Sequence, residues 1–394
     1  MNALEIRSVE RFRDKDGIDV RIRHEVEEID PAGGRVRVRH LESGIVSREA
    51  YDKLLVATGA LPLCPELPGS EAVRVCGINT LQSGVELRRI LDGGSIKQGV
   101  VVGGGYIGLE MAEALIRRGI EVSLVSRSPQ VMDTLDEEMG RLVSQALRDF
   151  GVTLFLTESL VGFETQGGEV VGVVTDRRRL AADVVILGLG VRPNTALAEA
   201  AGIPLGVKGA IRVNERMETG MAGIWAAGDC AESFHLVSRR PVHVALGTVA
   251  NRQGRVAGIN LGGGHATFPG VMATAVTKIC QMEVARTGLQ EKELRELGIG
   301  WESAVIKSRT RAGYFPGAGE ITVKLLAERE TGRLLGGQIV GMEGAAKRID
   351  TLATALHAGL TADEMINLDL GYAPPFSPVW DPVVVAAREL VKKL

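Results

Sequence analysis

Closely spaced cysteines, an excess of either charge and long apolar runs are all missing from this chain of 394 residues. The four cysteines, Cys64, Cys76, Cys230 and Cys280, make no CxxC or near pair. That excludes a disulfide framework and offers no metal-ligating set, so no metal is expected and most of the thiols read as reduced packing residues. The 46 basic residues against 49 acidic ones leave a formal charge of −3. Such a balance argues against a general binder of nucleic acid or of membrane surfaces. No run of about eighteen apolar residues occurs, so no segment is expected to span a bilayer. MNALEIRSVERFRDKDG is charged throughout and has no apolar h-region, which points to a cytoplasmic protein.

Glycine, by contrast, is abundant: 50 residues, placed at strand ends and turns rather than in a low-complexity tract. That placement suits an α/β protein with many tight loops. The length exceeds the usual ceiling for one hydrophobic core, so two or three domains are expected. DVRIRHEVEEID and RVRVRHL alternate as strands around a PAGG turn, and KLLVATG follows as a buried strand. LPLCPELPG reads as a hinge. A βαβ start comes next, with strand GVVVGG, helix YIGLEMAEALIRRG and strand EVSLVS. Helix EEMGRLVSQALRDFG, strand VTLFLT, a hairpin through VVGVVTD and strand DVVILGLG continue it. Helix LGTVANRQGRVAGINLGG lies further on. Beyond residue 268, strands mix with helices up to a proline-broken aromatic tail, YAPPFSPVWDP.

GGGYIG, Gly103 to Gly108, is the strongest local signal, because it follows an apolar strand and opens a helix. Gly103 allows the tight turn, Gly105 lets backbone approach a pyrophosphate, and Gly108 lets helix and strand pack closely. The helix amino terminus then faces phosphate with its positive end. A glycine turn used only for packing is the alternative, and the strand and helix around it favour dinucleotide binding. At the end of the next strand stand Ser126, Arg127 and Ser128, where NAD sites usually place an acid. A guanidinium with hydroxyls suits a 2′-phosphate, so NADPH is preferred to NADH, with a solvated Arg127 and acceptance of both as the alternative. LGLGVRPNTAL, which turns at Gly190, is read as a cover for the nicotinamide half. GIWAAGDCAE runs an apolar strand into Gly228 and Asp229, offering an N–H and an acidic acceptor to a polyol or pyrophosphate.

LLVATGALPLCPELPG, VVGGGYIGLEMAEAL, GLGVRPN, GIWAAGDCAE and ANRQGRVAGIN come in an order that resembles the FAD-dependent pyridine nucleotide–disulfide oxidoreductases. The tail LGYAPPFSPVWDP resembles the branch of coenzyme A-disulfide reductases, NADH oxidases and persulfide reductases. The resemblance covers essentially the whole chain. It implies an α/β fold with two Rossmann-like nucleotide-binding domains, glutathione-reductase-like, for FAD and NAD(P)H, plus an α+β dimerisation domain at the carboxy end. The implied limits are 1–79 and 208–264 for FAD, 80–207 for NAD(P)H and 265–394 for dimerisation. A homodimer is implied, acting on a small disulfide or persulfide, coenzyme A-linked forms among them. Oxygen reduction by an NADH oxidase is one alternative; a nucleotide-binding dimer without catalysis is another.

The resemblance also implies roles for particular residues. Tyr106 matches a gating tyrosine over the flavin, and Glu110 a carboxylate near the nicotinamide amide. Thr58 and Gly59 match the turn over the flavin phosphates, and Asp229 the acid at its ribityl or pyrophosphate region. The helix starting at Leu246, Gly247 and Thr248 would aim its positive end at the flavin ring. Tyr314 and Tyr372 resemble two tyrosines that reach the partner subunit's disulfide site, with a satisfied interface aromatic as the alternative for each.

One part of the family pattern is absent. Members begin with a first GxGxxG unit, then a ribose-binding acid, then a redox cysteine about forty residues into the chain. None of these occurs here, and none of the four cysteines replaces the redox one. Roughly seventy residues of a family member are therefore expected to precede Met1, the chain being a trimmed or mis-started version of a longer enzyme. A stable core that keeps the NADPH and dimer parts, or a degenerate member, would also account for it.

Overall fold

The computed structural model describes residues 7–394. The first elements are α1 (Val9–Asp16), β1 (His24–Asp30), β2 (Arg35–His40), β3 (Val46–Ala50), β4 (Leu54–Val56), β5 (Ala60–Pro62), β6 (Val75–Gly77) and α2 (Leu81–Asp92). Then come β7 (Gln98–Val102), α3 (Tyr106–Ile116), β8 (Glu121–Ser126), α4 (Glu137–Asp149) and β9 (Thr153–Leu156). A meander follows: β10 (Leu160–Gln166), β11 (Glu169–Thr175) and β12 (Arg179–Ala181). β13 (Val184–Leu187), β14 (Val191–Pro193), α5 (Ala196–Ala200), β15 (Ile224–Ala226), β16 (Ser233–His235), β17 (Arg240–Val242) and α6 (Gly247–Leu261) lead to the last part. It holds β18 (Ala275–Ile279), β19 (Met282–Gly288), α7 (Glu291–Leu297), β20 (Trp301–Arg309), β21 (Glu320–Glu328) and β22 (Leu334–Gly341). α8 (Ile349–Ala358), α9 (Ala362–Ile366) and α10 (Pro382–Val391) end it.

The chain divides into two compact units. The smaller contains the described residues of Met1–Gly59 together with Pro193–Glu232 and Ala250–Phe268. Here β1, β2 and β3 form an antiparallel meander, with Val26 opposite Val38. β4 pairs in parallel with β15, Val56 opposite Ala226, so both strands bring their carboxyl ends to one level. Ile29, Val56, Ile203, Ile211, Ile224 and Cys230 make its core.

The larger unit holds Ala60–Arg192, Ser233–Val249 and Pro269–Leu394. Its first sheet runs β6-β13-β7-β8-β9. The strands pair in parallel and are valine-rich, since both faces are covered. α3 and α4 cover one face around Leu109, Leu124, Met139 and Leu147. The β10–β12 meander covers the other through Phe163, Val173 and Val125. The second sheet, β18-β19-β22-β21-β20, is antiparallel and carries α8 and α10 over Val323, Leu325, Leu352 and Leu390. Ile279, Val284 and Val340 of this sheet join the core under α3 and α4, so the two sheets share packing. No helix among the described residues is long and apolar enough to cross a membrane.

Candidate active site

β7 ends at Val102 and the chain turns through Gly103, whose φ is +112°. A Cβ on Gly103 would stand 2.2 Å from the Gly188 carbonyl oxygen, and one on Gly108 would stand 2.0 Å from the Gly103 oxygen. Strand end, helix start and the end of β13 therefore touch backbone to backbone. Gly188 is a partner in this contact that the sequence pattern did not single out. Gly105, the N-cap of α3, makes no side-chain cap, and a Cβ there would meet nothing within 4 Å. The uncapped N–H groups of α3 thus open onto free space, the condition for an anion at a helix amino terminus. The loop after β8 lies against this turn, with the Met132 N–H donating to the Gly104 carbonyl at 2.7 Å.

At the end of β8, Ser126 is buried and its hydroxyl accepts from the Ser128 N–H at 3.3 Å. Arg127 is exposed. The Ser128 hydroxyl donates to Asp133 at 3.5 Å. The segment after β9 is stitched to the same residues: the Thr157 N–H donates to the Ser128 carbonyl at 3.1 Å and the Glu158 N–H to that of Ser126 at 3.0 Å.

Tyr106 opens α3 and packs its ring on the core beneath. Burial raises its pKa against the opposing pull of Thr134 and Arg286. Glu110, one turn on, is exposed and accepts from the Thr277 hydroxyl at 2.8 Å. The turn at Gly190 follows β13, and its carbonyl accepts from the Leu63 N–H at 2.9 Å.

A cluster the sequence reading missed holds the loop from below. Lys324 of β21 is fully buried, with Nζ at 2.8 Å from Asp136, 2.5 Å from Glu138 and 2.6 Å from Glu291. Burial opposes its charge, yet the hydrogen bonds to these three carboxylates outweigh that and raise its pKa. Asp136, the N-cap of α4, also accepts from Gln338 at 2.7 Å, while Arg286 donates to the Thr134 carbonyl at 3.0 Å. Lysine in ITVKLLAE sits in an unbroken buried run, and no local signal distinguishes it from a solvent-facing residue.

In the smaller unit, the Thr58 hydroxyl donates to the Asn194 carbonyl at 2.5 Å, and the Asn194 N–H donates to the Gly59 carbonyl at 2.9 Å. Gly59 has φ +70° and open space where a side chain would stand. Asp229 follows β15 at the level of that turn. One expectation is corrected: the Gly228 N–H is not offered outward, because it donates to Gln253 Oε1 at 2.8 Å. Gly247 and Thr248 are exposed at the amino end of α6, with Leu246 half-buried before them.

Tyr314 and Tyr372 are brought together, both exposed, and the hydrogen bond to Tyr314 leads the causes that raise the Tyr372 pKa. Cys230 and Cys280 are buried, Cys76 is half-buried and Cys64 is exposed. Burial, with Glu113 beside it, pushes the Cys280 thiol up to about 11, and burial also raises Cys76, the wrong direction for a thiolate nucleophile.

The pattern of pyridine nucleotide-disulphide oxidoreductases matches residues 2–282. The chain belongs to that family. The family's dimerisation domain matches residues 274–382. This oxidoreductase chain is 39% identical over 382 residues to an NAD(P)H sulfur oxidoreductase (CoA-dependent) of Pyrococcus furiosus, covering 97% of this chain and 85% of that one. It is similar to a solved NAD-dependent persulfide reductase from A. fulgidus, with TM-score 0.96 and 38% identity over 100% of this chain and 73% of the other. It is also similar to an engineered water-forming NADPH oxidase bound to NADPH, with TM-score 0.93 and 27% identity over 98% and 86%. Five residues were exchanged in that oxidase, including an aspartate for alanine and the next two residues for arginine and serine. The expected two-domain α/β architecture with a carboxy-terminal dimerisation domain accords with these matches.

Proposed function

We propose that the chain belongs to a homodimeric, FAD-dependent NAD(P)H reductase of a disulfide or persulfide, with NADPH as the preferred donor, a coenzyme A-linked sulfur compound as the substrate class and no redox cysteine among its own four thiols. The glycine turn of β7 and α3 carries the nucleotide half of this reading, because a side chain is excluded where backbones meet and space is open where α3 begins. There the N–H groups of α3 would hold a pyrophosphate, and Arg127 a 2′-phosphate. Arg127 and Ser128 after β8 are the same two residue types, in the same order, as the adjacent pair introduced into the engineered oxidase bound to NADPH, and this supports NADPH. We assign 80–207 to NAD(P)H, 1–79 and 208–264 to FAD, and 265–394 to dimerisation.

The residues present also fit part of a flavin. Asp229 and the Thr58–Gly59 turn stand at the carboxyl ends of two parallel strands, the usual place for a nucleotide ligand, with room beside Gly59. Asp229 would accept from its polyol, and the amino end of α6 would face its ring with positive charge. Bound there, the flavin supplies the two-electron relay between nicotinamide and sulfur. Tyr106 and Glu110 would border the nicotinamide. Tyr372, with Tyr314 beside it, would hydrogen-bond a leaving thiolate across the dimer.

Anaerobic turnover with each nucleotide tests this. The expected result is a higher kcat/KM for NADPH than for NADH, with thiol released in the ratio that disulfide reduction demands. In a parallel assay in air, oxygen uptake without thiol release would replace it with the oxidase reading.

A further inference from the structure

The end of β8 offers one guanidinium, Arg127, and faces a carboxylate, Asp133, through the Ser128 hydroxyl. A phosphomonoester carrying close to two charges needs more positive charge than that arrangement supplies. A second guanidinium stands nearby on the β11–β12 turn. Arg178 Nε donates to Glu158 Oε1 at 2.6 Å, and Arg178 lies over the Phe155 ring with its centre 4.5 Å away. Both supports belong to β8's surroundings. Phe155 is the partner of Val125 across β8 and β9, so the guanidinium is held over a ring of the strand that pairs with β8. Glu158 is bonded through its own N–H to the carbonyl of Ser126.

The side chain is held in a defined pose. Glu158 is 1% exposed, and among the described residues Arg178 is its ion-pair partner while its second oxygen finds none. A buried carboxylate of this kind fixes its cation firmly. The backbone is fixed as well: the Thr175 hydroxyl accepts from the N–H groups of Arg177 at 3.2 Å and Arg178 at 2.9 Å. Asp176 and Ser159 exchange hydrogen bonds at 2.9 and 3.0 Å. With Nε occupied and the ring face covered, the two Nη groups remain free, and the Arg178 side chain is 46% exposed. A planar fork held this way loses little freedom on binding phosphate.

We propose that Arg178 is a second specificity-determining residue for the nucleotide, its Nη groups binding the 2′-phosphate together with Arg127. The inference rests on the NADPH reading above. It is tested by calorimetric binding of 2′,5′-ADP and 5′-AMP to the full chain, which requires no turnover. The wild type should prefer 2′,5′-ADP. Arg178→Met, which keeps the stem over Phe155, should weaken 2′,5′-ADP about tenfold and leave 5′-AMP unchanged. Arg178→Lys preserves the ion pair with Glu158 and so the fold, but lacks the fork, and should show most of the same loss. If Arg127→Met loses the preference while both Arg178 variants keep it, this inference is overturned and the NADPH reading stands. A wild type that binds the two nucleotides equally overturns both.

Discussion

His235 shows how a single ring can set a pH limit. It is 3% exposed, and its Nδ1 accepts from the N–H groups of Val237 and Ser238, each at 3.2 Å. Burial, and then the charge of Arg286, lower its pKa from 6.5 to about 4. A proton on Nδ1 would also face two donors, so geometry and solvation act in one direction. Between these values the unfolded chain binds a proton that the folded chain refuses. The contribution is whole above the unfolded value and is lost as pH falls towards the folded one. Urea denaturation should show about 2 kcal/mol less stability at about pH 5 than at about pH 7.5 from this group. His235→Asn keeps an acceptor for the two amides without a titration, and should flatten that difference. An unchanged slope in the variant would remove His235 from the account.

Among elements, α4 is tied to its surroundings by charge. Its N-cap Asp136 and first-turn Glu138 meet Lys324 of β21, and Glu291 at the start of α7 completes the group. Removing the cation leaves three carboxylates facing one another. Lys324→Met should therefore cost about 3–5 kcal/mol, measured by thermal or denaturant unfolding. Adding Glu138→Gln and Glu291→Gln should restore part of it, whereas a loss that persists in the triple variant would point to packing instead. α3, α4 and β7–β9 were legible in the sequence because apolar periodicity and glycine punctuation agree there. α10 was not, since YAPPFSPVWDP reads as a broken tail. Its signal was nonetheless present: Asp381 caps Val383 at 3.0 Å, with Pro382 in the first turn. α2 likewise carries a capping box from Thr80 and Ser83 that the reading passed over.

For the molecule as a whole, the loops between β20 and β21 and before α10 present Tyr314, Phe376, Val379 and Trp380 to solvent, all more than half exposed. A cluster of large apolar side chains on a dimerisation domain is the surface such a domain covers. Phe376→Asp combined with Trp380→Asp should convert the proposed dimer to monomer in analytical ultracentrifugation, and an intact dimer would place the interface elsewhere. The order of motifs made the family architecture readable at this scale. Strand order and long-range partners were not, because nothing near Lys324 announces Asp136, 188 positions earlier by the difference of their numbers. Arg178 was equally silent, one of three arginines in a turn, until Glu158 and Phe155 were seen around it.

The contact of Gly103, Gly108 and Gly188 has a consequence for variation at these positions. A Cβ on Gly188 would stand 2.8 Å from the Gly108 Cα, so each member is blocked by the backbone of another. Backbone cannot yield as a side chain can, and no second change at a neighbour makes room. In a library carrying every substitution along the chain, these three positions should stay empty under selection for folding, while Gly105 tolerates alanine in folding and loses it only under selection for nucleotide. The two selections would separate what holds the turn together from what the turn is for.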